Sequence, residues 1–245
     1  TNDRRRRRRS SRLGAMELIR RLLLWLRRPV VGLAFTLLAC AGVLGLLQLP
    51  VSETLDRLIY DARVRSQAGA FDDRVVIVDV DERSLAEHGR WPWSRREIAA
   101  LVERIAQQGG ASVLGLDTLF AEPEPGGEGD AALAAALRGR PVVLGYYFSS
   151  DRGGVTAGQL PAPVMNVGAF AQSDHRITSW TGYGANLASL QQAAGAAGFF
   201  NPMVDADGVV RALPLLAEYE GQVYESLVVA VLRRHLGGAS LALTG

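Results

Sequence analysis

Residues 75–117 read VVIVDVDERSLAEHGRWPWSRREIAALVERIAQQGGASVLGLD, and their periodicity decides the fold class. Val75-Val76-Ile77-Val78-Asp79-Val80 is a short β-branched run of the kind that makes a buried strand. A short helical segment around Ser84–His88 follows and closes at Gly89. Ser94-Arg95-Arg96-Glu97 then spells a capping box: the Ser hydroxyl accepts from the third helical amide, and the Glu carboxylate reaches back to the cap amide. The helix it opens carries Ile98, Leu101, Val102, Ile105 and Ala106 on one stripe and stops at Gly109-Gly110. Ser112–Asp117 (SVLGLD) is the next strand. Strand, helix, strand in this order is a βαβ unit, whose two strands run parallel. The class predicted is α/β.

Working outward, the Ala-rich stretch 130–138 and the run Pro141–Phe148 predict a second helix and a third strand. A Gly-rich loop around 149–160 is expected to be mobile. Strands are predicted at Ala196–Phe200, Val209–Ala217 and Gln222–Tyr224, the first two separated by the turn Asp205-Ala206-Asp207-Gly208. Ser226–Leu236 closes the domain as a helix with Leu227, Ala230, Val231 and Leu232 inward. The expected architecture is an α/β sandwich with a partly parallel sheet and a C-terminal hairpin plus helix. Upstream, Leu55, Leu58, Ile59 and Ala62 share a helical spacing, and Gly69 with Asp72-Asp73 ends that helix.

Length and charge place this domain against a membrane. The 245 residues are 48% hydrophobic and carry a net charge of +2, which excludes general disorder and a collagen repeat. One Cys excludes an intrachain disulfide. All 27 basic residues are Arg, which excludes lysine chemistry such as a Schiff base, a P-loop or a Ser-Lys dyad. The near-neutral total hides a split: residues 1–28 hold eleven Arg against Asp3 and Glu17, a net +9, and the remainder is −7.

Between the two lies PVVGLAFTLLACAGVLGLLQLPVS, residues 29–52, without a charged side chain. As a helix it would extend about 36 Å, enough for a hydrocarbon core of about 30 Å. The predicted organisation is therefore a basic cytoplasmic tail (1–28), a transmembrane helix (29–52) and an extracytoplasmic domain (53–245), oriented by the Arg-rich flank. Leu37-Leu38-Ala39-Cys40 loosely resembles a lipoprotein cleavage box, but the apolar run continues past it, so an uncleaved inner-membrane anchor is the preferred reading. Arg4–Arg9 is read as a topology signal, or as sequence upstream of a start at Met16, rather than as a nucleic-acid patch. Ala41 and Gly45 form a small-xxx-small pair on which two membrane helices could dimerise.

Chemistry-bearing residues are few. Asp79 and Asp81 are two apart and project to one face of an extended chain; Asp117 ends the following strand. On neighbouring parallel strands the three would gather at the carboxyl edge of the sheet, where open α/β sheets bind ligands, and would suit a divalent cation or a cationic ligand. The competing reading is that Asp81 caps the next helix, Asp117 closes a turn and Asp79 pairs with an Arg. Trp91 and Trp93 could present aromatic faces to a ligand, or pack over the helix start. Asp205-Ala206-Asp207-Gly208 resembles half of a calcium loop, but Leu216 stands where an EF-hand needs a bidentate Glu, so a hairpin turn is expected. His88, His175 and His235 have no companions at ligand spacing, and no nucleophile motif is present.

Several ordered motifs carry a resemblance. They are Leu58–Arg63 (LIYDAR), Val75–Ser84 (VVIVDVDERS), Gly89–Arg95 (GRWPWSR), Gly115–Pro123 (GLDTLFAEP), Gly198–Pro202 (GFFNP) and Asp205–Leu216 (DADGVVRALPLL). Together they resemble the type-2 CHASE family of bacterial extracytoplasmic sensor domains over most of residues 53–236. The resemblance implies a sensory input module, not an enzyme, whose stimulus is relayed through later membrane helices to an adenylate or diguanylate cyclase, a histidine kinase or a Ser/Thr kinase. It implies a membrane, an extracytoplasmic ligand and a second copy of the chain as partners, no nucleic acid, and no resident cofactor beyond a divalent cation. With the chain ending at Gly245, an incomplete sensor domain is expected. Two other classes compete: a metal-dependent extracytoplasmic enzyme using Asp79, Asp81 and Asp117, and a non-signalling envelope interaction module.

Overall fold

A computed structural model describes residues 29–42, 50–67, 69, 72–150, 153–170 and 177–242. The chain divides into two compact units, the first ending at Val78 and the second beginning at Asp79.

The first unit is helical. Residues 29–42 form helix α1 and Pro50–Ser66 form α2. Among the described residues no helix is long and apolar enough to cross a membrane. Residues 43–49 of the predicted span, and the basic tail 1–28, lie outside the described residues. The run after α2 departs from expectation. Residues 75–80 form no strand, and Val75 to Val78 are between 58% and 86% exposed. A β-branched run has the propensity for a strand, but a strand exists only where a neighbour takes its backbone groups.

The second unit opens with α3 (Glu82–His88) and α4 (Arg95–Gln108). The capping box on α4 forms as predicted: Ser94 accepts from the Glu97 amide, and the Ser94 amide donates to Glu97 at 2.9 Å. Its stripe buries Ile98, Ala99 and Val102. Next come β1 (Leu114–Leu116), α5 (Glu128–Leu137) and β2 (Val142–Ser149). The parallel βαβ unit is thus β1-α5-β2, with Leu114 opposite Val142, one step later in the chain than predicted. The Gly-rich loop is not bare: β3 (Thr156–Ala157) lies in it and pairs with a later strand.

The remaining elements are β4 (Met165–Asn166), β5 (Thr178–Trp180), β6 (Gly182–Gly184), α6 (Ala188–Ala194), β7 (Ala197–Phe199), β8 (Met203–Val204), β9 (Val210–Ala212), β10 (Leu216–Tyr219), β11 (Gln222–Glu225) and α7 (Leu227–His235). One sheet has the order β1-β2-β6-β3, and β7 pairs in parallel with β2. A second sheet runs β4-β11-β10-β5. The predicted strand 209–217 is two strands, because Leu213-Pro214-Leu215 breaks the ladder and a proline has no N–H to give it. The β8–β9 hairpin turns through Asp205–Gly208 as expected, with Arg211 bonded to Asp205 at 2.7 Å and to Asp207 at 2.9 Å. The β10–β11 hairpin turns on Glu220 and Gly221, both at positive φ (49° and 76°), the geometry that matches the twist of paired strands.

Side chains alternate across a strand, so Leu114 and Leu116 pack against the buried core to which α4 and α5 contribute, and Gly115 faces α7, where Val231 lies against it. The core is aromatic at its centre. Phe148 touches Tyr146, Phe199, Tyr219 and Tyr224 with ring centroids 5.3–6.1 Å apart. Of the four α7 residues predicted inward, Ala230 is buried, Leu227 and Val231 are half-buried, and Leu232 is exposed.

Candidate functional site

Parallel strands bring their carboxyl ends to one edge. Leaving β1 the chain delivers Asp117, and leaving β7 it delivers Phe200 and Asn201. The N-terminus of α7 arrives at the same edge. Ser226, its cap residue, is bridged in parallel to Phe199 and donates its amide to Leu215 O at 2.9 Å. Gly198 makes this approach feasible, since a Cβ there would stand 2.5 Å from both the N and the Cα of Leu227. The Asn201 amide group brackets Phe148, accepting from its N–H at 2.7 Å and donating to its C=O at 2.8 Å, so the Phe200–Pro202 segment is pinned to β2.

These elements enclose a cavity of about 260 Å³ lined by Asp117, Asn201 and Ser226 among apolar walls that include Phe199, Phe200 and Leu215. Ser226 is 5% exposed, its hydroxyl makes no cap bond to α7, and its Oγ has no hydrogen-bond partner among the described residues. Buried hydroxyls are almost always satisfied. The first-turn amides of α7 add the positive end of a helix dipole.

The other predicted site residues lie elsewhere. Asp79 is exposed on a stretch with no strand. Asp81 is the N-cap of α3, accepting from the Ser84 amide at 2.8 Å and the Ser84 hydroxyl at 2.6 Å. Those two donors, the hydroxyl first, hold its carboxyl below the usual carboxylate range. The structure therefore does not join Asp79, Asp81 and Asp117 on one strand edge, and among the described residues no three His, Cys, Asp or Glu side chains group as a metal site. Trp91 and Trp93 meet edge to face at 5.8 Å, Trp93 contacts His88 at 5.4 Å, and its Nε1 donates to Gly89 O at 3.0 Å. Trp93 also packs against the core beside α4, so the pair shapes the helix start. Of the five, only Asp117 lines the cavity.

Ser226 and Asn201 were not singled out by composition or spacing. A serine before an apolar helix reads as an ordinary cap, and only the tertiary fold shows that the residue lines a cavity and that its hydroxyl is buried without a partner among the described residues.

The CHASE2 domain family model matches residues 35–244, nearly the whole chain. The chain belongs to the CHASE2 family. CHASE2 domains are extracellular sensory modules, so the match makes this a sensory domain and assigns it no catalytic chemistry. No curated protein and no solved structure matches the chain significantly. Two of the CHASE2 motifs prove to be one structural unit. Arg95, which ends Gly89–Arg95, reaches Asp130 at 3.3 Å and Glu122 O at 3.2 Å, with its guanidinium 4.4 Å over the Phe120 ring. Glu122 and Phe120 belong to the Gly115–Pro123 motif.

Proposed function

We propose that this CHASE2 chain is the membrane-anchored, extracytoplasmic input module of a bacterial receptor, and that a small molecule held at the carboxyl edge of the parallel sheet is its stimulus. Three observations support the reading: the family match, the cavity between β1, β7 and α7, and the division of charge about residues 29–52. The cavity carries it. It sets Asp117 and Asn201 among apolar walls at the carboxyl edge of parallel strands, the kind of place and lining in which small-molecule sites occur.

In this reading the N-terminus is cytoplasmic, residues 53–245 lie outside the inner membrane, and two copies associate through the anchor helix. A ligand shifts the receptor by binding one packing of that dimer better than the other. The output is a cyclase or kinase domain elsewhere in the receptor. The test is a chimera joining the chain, through a transmembrane hairpin, to a diguanylate cyclase. Cyclic dinucleotide output that changes when Phe200 is replaced by Trp to fill the cavity supports the proposal. Output equal in the parent and the filled-cavity chimera, with both in the membrane, contradicts it.

A further inference from the structure

We infer that the open edge of β1 receives one more strand, and that this strand is the Val75–Val80 run of a second copy of the chain; the inference rests on the sensory reading only for the nearness of two copies at the membrane. β1 is bonded to β2 on one side, and among the described residues no strand lies on the other. In a parallel ladder alternate residues address the two sides. Leu114 gives its N–H to Pro141 O at 2.9 Å on the β2 side, so Gly115 turns its N–H and C=O to the open edge, where it is exposed. Helix α7 overhangs that edge. Two contacts fix its roll: Val231 lies against Gly115, and His235 Nδ1 is 2.9 Å from Ser112 Oγ. At roughly 100° per residue, Val228 and Leu232 lie roughly 60° and 100° further round than Val231, on the side away from Leu227, which is close on Gly198 of β7. Val228 shares the cavity with Asp117 at the end of β1, and Leu232 follows one turn along. The two are 59% and 54% exposed, an apolar wall standing beyond the last strand of the sheet.

A strand in that place must offer backbone groups to Gly115 and apolar side chains to α7. The Val75–Val80 run supplies both. In an extended chain Val76, Val78 and Val80 share one face with no charge among them, and Asp79 falls on the other. Val75 to Val78 are 58–86% exposed and belong to no strand. One molecule thus carries, both unused, an edge that lacks a strand and a strand that lacks a sheet. A two-fold pair satisfies both at once, each copy's run closing the other's edge by strand addition. Paired anchor helices would hold the two copies at the high local concentration that such an exchange needs.

The experiment is disulfide mapping between two differently tagged full-length copies, co-expressed in a Cys40→Ser background and oxidised in detergent micelles. One copy carries Asp117→Cys, an exposed position at the end of β1, and the other a single cysteine moved in turn through Val75–Val80. Neighbouring strands lie about 4.8 Å apart, inside the Cα separation of about 4.4–6.8 Å that a disulfide accepts. A disulfide between the copies is expected, peaked at one or two positions of the scan. Hydrogen exchange on the parent chain should show the amides of residues 75–80 and of Gly115 protected together. Ile77→Pro, in an exposed run, should then lower the protection of the Gly115 amide at least tenfold. An equal disulfide yield across the scan overturns the inference, because it reports only the nearness of the anchors. Absence of any disulfide between copies also overturns it, and a bond formed within one chain bearing both cysteines would name that chain's own run as the occupant. Amides of residues 75–80 exchanging at the rate of an unpaired chain overturn it as well. Each of these results leaves the chimera test of the sensory reading standing, since filling the cavity with Phe200→Trp does not depend on what closes the edge of β1.

Discussion

Replacing Asp130 tests whether the two CHASE2 motifs hold each other in place. The Asp130 and Arg95 side chains are 11% and 14% exposed, a nearly buried ion pair. Asp130 also accepts from the Glu124 amide at 2.8 Å. Asp130→Ala leaves the guanidinium desolvated with only Glu122 O and the Phe120 face, and leaves the Glu124 amide unpaired. Breaking one partner of a buried pair costs about 3–5 kcal/mol, and the residual exposure of both groups puts this case near 3. Asp130→Asn keeps an acceptor for the Glu124 amide, worth about 1 kcal/mol, so it should cost about 2. Arg95→Met with Asp130→Ala removes both charges and should be more stable than Asp130→Ala alone. Urea unfolding of the full chain in micelles, followed by Trp fluorescence, reads these differences as shifts in midpoint of about 1 M for the Ala variant. An Asp130→Ala variant within about 1 kcal/mol of the parent, or a double variant as unstable as the two single losses added, would refute the reasoning.

Gly198→Ala drives a methyl into the backbone of Leu227 and should destabilise by about 1–3 kcal/mol, whereas Gly115→Ala meets only the movable Val231 methyl at 3.0 Å and should cost less than about 1; thermal unfolding of the two variants compares them. Asp81 has a folded pKa held below its unfolded value of about 3.9, so its contribution is complete above that value and disappears as pH falls through the folded one. The stability difference between the parent and Asp81→Asn should therefore vanish in acid, and a difference independent of pH down to pH 2 would contradict the cap. Cys40, exposed on α1, should form an intermolecular disulfide in oxidised membranes if the anchor helices pair, with Cys40→Ser giving monomer on a non-reducing gel. A cysteine placed at Met203, which is exposed, should react with a membrane-impermeant maleimide from outside intact cells, and its protection there would contradict the proposed topology.

Local order was legible where a few neighbouring residues decide it. Ser94 and Glu97 form their capping box, Asp205–Gly208 makes its hairpin turn, and Glu128–Leu137 and Val142–Ser149 follow the predicted helix and strand closely. Each depends on hydrogen bonds and side-chain spacing within a few positions of the chain, so the sequence states it directly. Pairing was not legible. Val75–Val80 has the composition of a buried strand and forms none, while Gly182–Gly184, with hardly any strand propensity, is held as a strand between β2 and β3. A strand is completed by its neighbours, and which neighbours are available is settled only when the whole sheet assembles.

The candidate site divides in the same way. Asp117 was visible in advance because it ends a strand, and its place at the carboxyl edge follows from parallel pairing alone. Asp81 was equally visible as a carboxylate, but the Ser84 hydroxyl and amide three residues on claim it for a cap. Ser226 stands 109 positions beyond Asp117 in the chain and shares a cavity with it only because Gly198 lets α7 lie close on β7. The charge division, the anchor-like run and the motif order come from residue chemistry that any conformation preserves. The meeting of Asp117 with the start of α7 at one cavity comes from packing, which exists only in the folded chain.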